Sequence, residues 1–178
     1  MIYLIKVERN HHGKRIGIKG EKMTEQEYEE YQRYIEELLS DERISKMDEF
    51  IQHGNTTTLA HCKAVAKLCG EIAYRYHIKV DVKSLARGAL LHDYFLYDWH
   101  EQKLGNLHGF YHPGIALKNA TRDFELNPRE QDIIRKHMFP LTLYVPRYRE
   151  TVLVCLADKG CALKEVYHRI FRGRFASA

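Results

Sequence analysis

Helix-start signals recur along the sequence, and they constrain the fold more than any other feature. Thr24 is followed three residues later by Glu27, which is the pattern of a capping box. Asn127-Pro128 is followed by Glu130, an arrangement typical of a helix start. Apolar residues at helical spacing follow these signals, so we expect an all-α fold. The predicted N-caps are Thr24, Asp41, residues 56–58, Asp81 and Asn127, and Pro113 is expected in the first turn of a further helix.

The N-terminal region carries a different pattern. Residues 2–8 and 14–18 are rich in β-branched and aromatic types, with turn-forming residues between them, and predict a short N-terminal β-hairpin. Asp41 is expected to open a short helix with an apolar stripe of Ile44, Met47 and Ile51. We interpret residues 1–50 as an N-terminal extension and residues 51–178 as the main helical domain.

The composition bears on whether the chain needs disulfides and on whether it binds nucleic acid. A chain of 178 residues with 44% hydrophobic residues is long enough to bury a core without disulfides. The net charge of +4 is too small to predict a nucleic-acid polymer as partner. The four cysteines form no CxxC pair, so we expect reduced, mostly buried thiols.

The apolar runs are short. The longest is residues 152–157, far below the roughly 20 residues that cross a bilayer, so no membrane association is expected. Residues 1–5 are apolar but lead directly into Lys6, without the regions of a signal peptide. We therefore expect a cytoplasmic protein.

Histidine is unusually frequent, at eleven of 178 residues. Several histidines share predicted helix faces with apolar residues, and Asp158 follows the apolar run of residues 152–157. A buried carboxylate costs several kcal/mol unless it is paired or binds a metal. A lone histidine on an apolar stripe is usually a hydrogen-bonded core residue, but here the metal-competent side chains recur on five helices or helix ends. They are His61, His92-Asp93, His112, His137 and Asp158.

In this order the residues resemble the H…HD…D signature of the HD-domain superfamily of metal-dependent phosphohydrolases. His61, His92-Asp93 and Asp158 match the signature, and His112 and His137 resemble the extra pair of its two-metal members. The resemblance covers about residues 56–165 and implies a compact HD-domain helical bundle.

The resemblance also implies a ligand set. His61, His92, Asp93 and Asp158 would bind one divalent ion, and Asp93 would bridge to a second ion completed by His112 and His137. Imidazole and carboxylate donors suit transition metals, and we expect Fe or Mn, with Zn, Co or Ni as alternatives. A hydroxide bridging the two ions would be the nucleophile, which makes Asp93 and His92 the central catalytic residues.

Substrate-binding candidates lie close to these ligands. Lys159 and Lys136 either neutralise a substrate phosphate or are solvated, and residues 98–112 form either a lid or a connecting loop. Within that segment, His108 is a rival to His112 as a ligand, and Asp98, His100 and His108 are candidates for substrate contact. His11, His12, His53, His77 and His168 are interpreted as surface residues.

We expect hydrolysis of a small, anionic, nucleotide-like phosphate ester or anhydride. Leu96 occupies the position of the lysine found in the superfamily branch that cleaves cyclic dinucleotides, and no Gly-Tyr-Pro motif occurs, so that activity is not expected. Two alternatives remain open: a mixed-valent di-iron oxygenase of the same superfamily, and a non-catalytic, metal-stabilised binding module.

Overall fold

The protein, described here by a computed structural model for residues 23–53, 55–99 and 107–175, is a helical bundle. The predicted all-α class is confirmed. The hairpin expected at residues 2–8 and 14–18 lies outside the described residues. The elements are α1 (Glu25–Leu39), α2 (Glu42–Ser45), the 3₁₀ helix η1 (Lys46–Glu49), β1 (Ile51–His53), β2 (Thr56–Thr57), α3 (Thr58–Arg75), α4 (Val82–Leu91), α5 (His108–Asp123), α6 (Pro128–Lys136) and α7 (Arg149–Phe175).

The predicted N-caps are confirmed by their capping hydrogen bonds. The Thr24 side chain accepts from the Glu27 backbone, and Glu27 accepts in return from the Thr24 backbone. Asn127 and Glu130 form the same reciprocal pair at the start of α6. The Asp81 carboxylate accepts from the Ser84 backbone at 2.8 Å and begins α4.

The prediction for Ile51 was wrong. Ile51 belongs to a short antiparallel β-sheet and pairs with Thr57, instead of continuing the stripe of Ile44 and Met47. The chain becomes extended at Phe50, whose carbonyl accepts from the Thr58 backbone at 2.8 Å. Residues 42–49 form helical turns too short to override the strand preference of the β-branched residues that follow.

Helix α5 begins earlier than Pro113 predicts. It starts at His108, so Pro113 lies inside the helix and not in its first turn. The proline removes a single backbone hydrogen bond. The His108 ring stacks on the His112 ring with centroids 4.6 Å apart, and this contact stabilises the additional turn.

Two hydrophobic clusters form the core. The first joins α1, α3, α4, α6 and α7 around residues such as Tyr31, Val65 and Val154. The second joins α2, η1 and α5 to the inner faces of α3, α4 and α6. The Tyr31 hydroxyl donates to the Ala66 carbonyl at 2.6 Å, so α1 is fastened to α3 within the first cluster.

The expected burial of the four cysteines is confirmed. All four cysteines are free and buried. Among the described residues, no helix is both long and apolar enough to span a membrane.

Helices α4 and α6 approach closely at Gly88. A Cβ atom added at Gly88 would lie 2.5 Å from Cδ1 of Ile133, too close for any real contact. This approach matters for the residues that follow, because α4 ends immediately before His92 and α6 ends immediately before His137.

We predict that Gly88→Ala lowers the free energy of unfolding by about 1–3 kcal/mol, the usual cost of overpacking. Thermal unfolding of chelator-treated protein should then show a melting temperature lower by roughly 3–10 °C.

Gly160→Ala is the matched control, because Gly160 is an exposed glycine of α7 whose added Cβ would make only an ordinary contact with Leu68, at 3.9 Å. That change should leave stability unchanged or raise it by up to about 1 kcal/mol through helix propensity. Equal effects of the two substitutions would contradict the close approach of α4 and α6.

Candidate metal centre

Five helices bring the six candidate ligands to one buried place. His61 lies on α3, His112 on α5 and Asp158 on α7, while His92 and His137 are the residues at which α4 and α6 end. All six ligands are buried. The most exposed of them, Asp158, is 8% exposed. The residues selected from the sequence therefore lie together.

Three of the ligands form what we name the first half-site: His61, His92 and Asp158. Oδ1 of Asp158 lies 3.1 Å from Nε2 of His61 and 3.9 Å from Nε2 of His92. These atoms form one group of donor atoms close enough to hold a single ion.

The second half-site consists of Asp93, His112 and His137. Oδ1 of Asp93 lies 3.0 Å from Nε2 of His112 and 3.3 Å from Nε2 of His137. Donor atoms bound to one transition-metal ion at about 2.1 Å lie roughly 3.0–3.4 Å from one another, so these separations fit a shared ion.

Asp93 connects the two half-sites. Its Oδ1 faces His112 and His137, while its Oδ2 lies 3.4 Å from Nε2 of His92 in the first half-site. A carboxylate whose two oxygens face different donor groups has the arrangement that a bridging ligand requires.

The hydrogen bonds on the far side of the rings orient the imidazoles. Nδ1 of His92 bonds the Ala89 carbonyl at 2.8 Å, and Nδ1 of His137 bonds the Ile134 carbonyl at 3.0 Å. Nδ1 of His112 bonds the His108 carbonyl at 3.0 Å. Because a carbonyl can only accept, each Nδ1 carries a hydrogen, and Nε2 is the nitrogen of each ring that faces the site and would bind a metal ion.

These Nε2 atoms need a positive charge between them. Nε2 of His112 lies only 2.7 Å from Nε2 of His137. Among the described residues, Nε2 of His92 and Oδ1 of Asp93 are buried without a hydrogen-bond partner. Orphaned buried acceptors are costly, and coordination of divalent cations satisfies all of them. The residues present therefore fit a two-ion centre.

The electrostatics differ between the half-sites. Burial opposes protonation of His61, but its hydrogen bonds to Asp158 and Glu165 raise its pKa to about 10. Burial, reinforced by the neighbouring imidazoles, instead lowers the pKa of His137. Burial alone would raise the pKa of Asp93, yet His92 and His112 hold that pKa well below its usual value. Asp93 is therefore a carboxylate at neutral pH.

Two residues that the sequence did not single out support the ligands. Gln52, buried on β1, donates from Nε2 to Oδ2 of Asp93 at 2.6 Å. Glu165 on α7 places Oε1 3.0 Å from Nδ1 of His61. Glu165 follows Asp158 by seven residues, two helical turns, so its position on the same face could have been inferred. Nothing in the sequence pattern marks Gln52.

Cys62 also lies beside a ligand, with Sγ 3.7 Å from Nδ1 of His92. That nitrogen already bonds the Ala89 carbonyl. The thiol therefore packs behind the ring, away from the Nε2 that faces the half-sites, and it agrees with the expected buried thiol.

A cavity of about 290 Å³ opens beside the two half-sites. Three of the candidate ligands line it: Asp93, His112 and Asp158. The rest of the lining includes Lys159, the aromatic Trp99 and His108, and the apolar Met138 and Ala162. Two predicted substrate residues, His108 and Lys159, thus line it. Asp98 is partly buried but is not part of this lining, and His100 lies outside the described residues.

The other residues considered from the sequence are not part of the two half-sites where the structure describes their side chains. His108 stacks on His112 and its Nδ1 lies 3.0 Å from the Tyr97 hydroxyl, so it stands behind the second half-site and not within it. Lys136 pairs with Asp132. His77 is exposed, as expected for a surface residue. The side chains of His11, His12, His53 and His168 lie outside the described part of the structure.

Comparison with known proteins supports the resemblance. The family model described as the HD domain matches residues 58–163, which is more than half of the chain. The six candidate ligands lie within that range. Searches of curated proteins and of solved structures gave no significant match. The protein belongs to the HD domain family.

Proposed function

We propose that the protein is a two-metal phosphohydrolase that acts on a small, nucleotide-like phosphate ester or anhydride. The observation that carries the proposal is the position of Asp93, whose two oxygens face separate groups of imidazole donors. Membership of the HD domain family supports metal-dependent hydrolysis as the reaction class.

Imidazole and carboxylate donors favour transition metals over Mg or Ca, and Fe or Mn are the proposed ions, with Zn, Co or Ni able to substitute. The first half-site would hold one ion and the second half-site the other, with Asp93 shared. When bound, two such ions lower the pKa of a coordinated water and stabilise the charge that develops during phosphoryl transfer.

Lys159 is the proposed phosphate-binding residue. Its ammonium group donates to the carbonyls of His137, at 3.1 Å, and Cys155, at 3.2 Å. Among the described residues it has no carboxylate partner, and it lines the same cavity as Asp93 and Asp158. A held, uncompensated positive charge beside the centre would bind a non-bridging phosphate oxygen.

The cavity supports the proposed substrate class. A volume of about 290 Å³ suits a small molecule, not a polymer. The ring of Trp99 and the side chain of Met138 provide an apolar wall for a flat organic group. We propose that the protein is cytoplasmic and that its partner is a small, anionic, phosphate-containing substrate, with neither a nucleic-acid polymer nor a membrane as partner.

The first test is metal content. After loading with Mn²⁺ and removal of excess ion, the wild-type protein should retain two ions per chain. Asp93→Ala should retain at most one, because the shared ligand is lost. His77→Asn, an exposed histidine changed in the same preparation, should retain two. Equal metal content in all three proteins would contradict the assignment of Asp93.

The second test is activity. Mn²⁺-loaded protein should release phosphate from at least one member of a panel of nucleotides and phosphate monoesters. Lys159→Met should lower kcat/KM by roughly 10- to 100-fold, the value of a charge-assisted hydrogen bond. Lys67→Met, which removes an exposed lysine of α3, is the control and should leave kcat/KM unchanged.

Two outcomes would overturn the proposed reaction. Metal-loaded protein that consumes dioxygen and releases no phosphate would be an oxygenase. Metal-loaded protein without either activity would be a binding module.

A further inference from the structure

We propose that Glu165 makes the two half-sites unequal, so that the first half-site binds its ion more tightly and fills before the second. This inference rests on the two-metal centre of the proposed function. It assigns Glu165 as a positioning residue that acts on the metal through His61.

The acceptor on Nδ1 of His61 differs from that of the other three histidines. His92, His112 and His137 each bond a neutral backbone carbonyl, whereas Nδ1 of His61 faces Oε1 of Glu165 at 3.0 Å. A carboxylate on the far nitrogen draws the N–H proton toward itself and makes the opposite nitrogen a stronger metal donor.

The geometry also holds the ring of His61 in place. Asp158 and Glu165 project from the same face of α7, two turns apart, and contact the two nitrogens of the His61 ring. The imidazole is therefore clamped between two carboxylates, so it loses little freedom when it binds an ion.

Among the described residues, the hydrogen-bond partner of the Glu165 carboxylate is His61. The Glu165 side chain is 15% exposed, and among the described residues its Oε2 is buried without a hydrogen-bond partner. A largely buried negative charge is costly unless a positive charge compensates it. A divalent ion on the opposite nitrogen of His61 would supply that charge in place of a proton on the ring.

The distribution of carboxylates adds to the difference. The first half-site contains the carboxylate of Asp158, and Glu165 lies behind His61. Oδ2 of Asp93 also lies 3.4 Å from Nε2 of His92 in this half-site. In the second half-site the carboxylate donor is Oδ1 of the shared Asp93. More negative charge close to the first ion means stronger attraction for a dication. The second ion would then be the exchangeable one.

The test is a calorimetric titration of chelator-treated protein with Co²⁺ as the probe. Wild-type protein should bind two ions in separate phases of unequal affinity. Glu165→Gln, which retains an oxygen acceptor but removes the charge, should weaken the tight phase about 10- to 100-fold and change the weak phase by less than about threefold. His112→Gln should remove the weak phase and leave the tight one.

Glu71→Gln is the matched control, since this exposed glutamate of α3 pairs with Lys67 at the surface, and both phases should persist. Melting temperatures of the metal-free variants identify any general loss of structure. The inference is overturned by two phases that Glu165→Gln leaves unaltered, by loss of the tight phase in His112→Gln, or by a wild-type protein that binds no Co²⁺. Unequal binding without phosphate release would leave it standing and overturn only the proposed hydrolase activity.

Discussion

The structure depends on one electrostatic constraint: four imidazoles direct their Nε2 atoms into a small buried volume that also contains two carboxylates. Three of the rings have Nδ1 bonded to backbone carbonyls, so their Nε2 atoms are the ones that face the centre. The 2.7 Å separation between His112 and His137 is tolerable only with positive charge nearby. Divalent ions bound by these donors would supply that charge.

The fold satisfies this constraint by using helix ends. His92 and His137 stand where α4 and α6 end, and the close approach of those helices at Gly88 brings the two ends together. In both helices, the histidine side chain bonds a carbonyl of the last turn. Carbonyls in the last turn of a helix lack a backbone N–H partner within the helix. The same bond therefore satisfies the helix end and orients the ligand.

The metal ligands could be predicted from the sequence more completely than the residues that contact them or lie beside them. The positions of His61, His92 and His137 could be predicted because their helices carry local start signals, as at Asp81 and Asn127. Gln52 could not, because it contacts Asp93 across 41 residues of the chain and no local pattern marks that contact. The sequence left two roles open for Lys159, because a residue next to Asp158 on a helix points in a different direction. In the structure, its long side chain reaches the carbonyls of His137 and Cys155.

The central claim is that two ions occupy two half-sites bridged by Asp93, and anomalous diffraction from crystals of Mn²⁺-loaded protein tests it most directly. The account predicts two anomalous peaks about 3.5–4 Å apart, the usual separation in two-metal sites. One should be bound by His61, His92 and Asp158, and the other by His112 and His137, with an oxygen of Asp93 on each. A single peak, or ions bound elsewhere with the imidazoles free, would contradict the account.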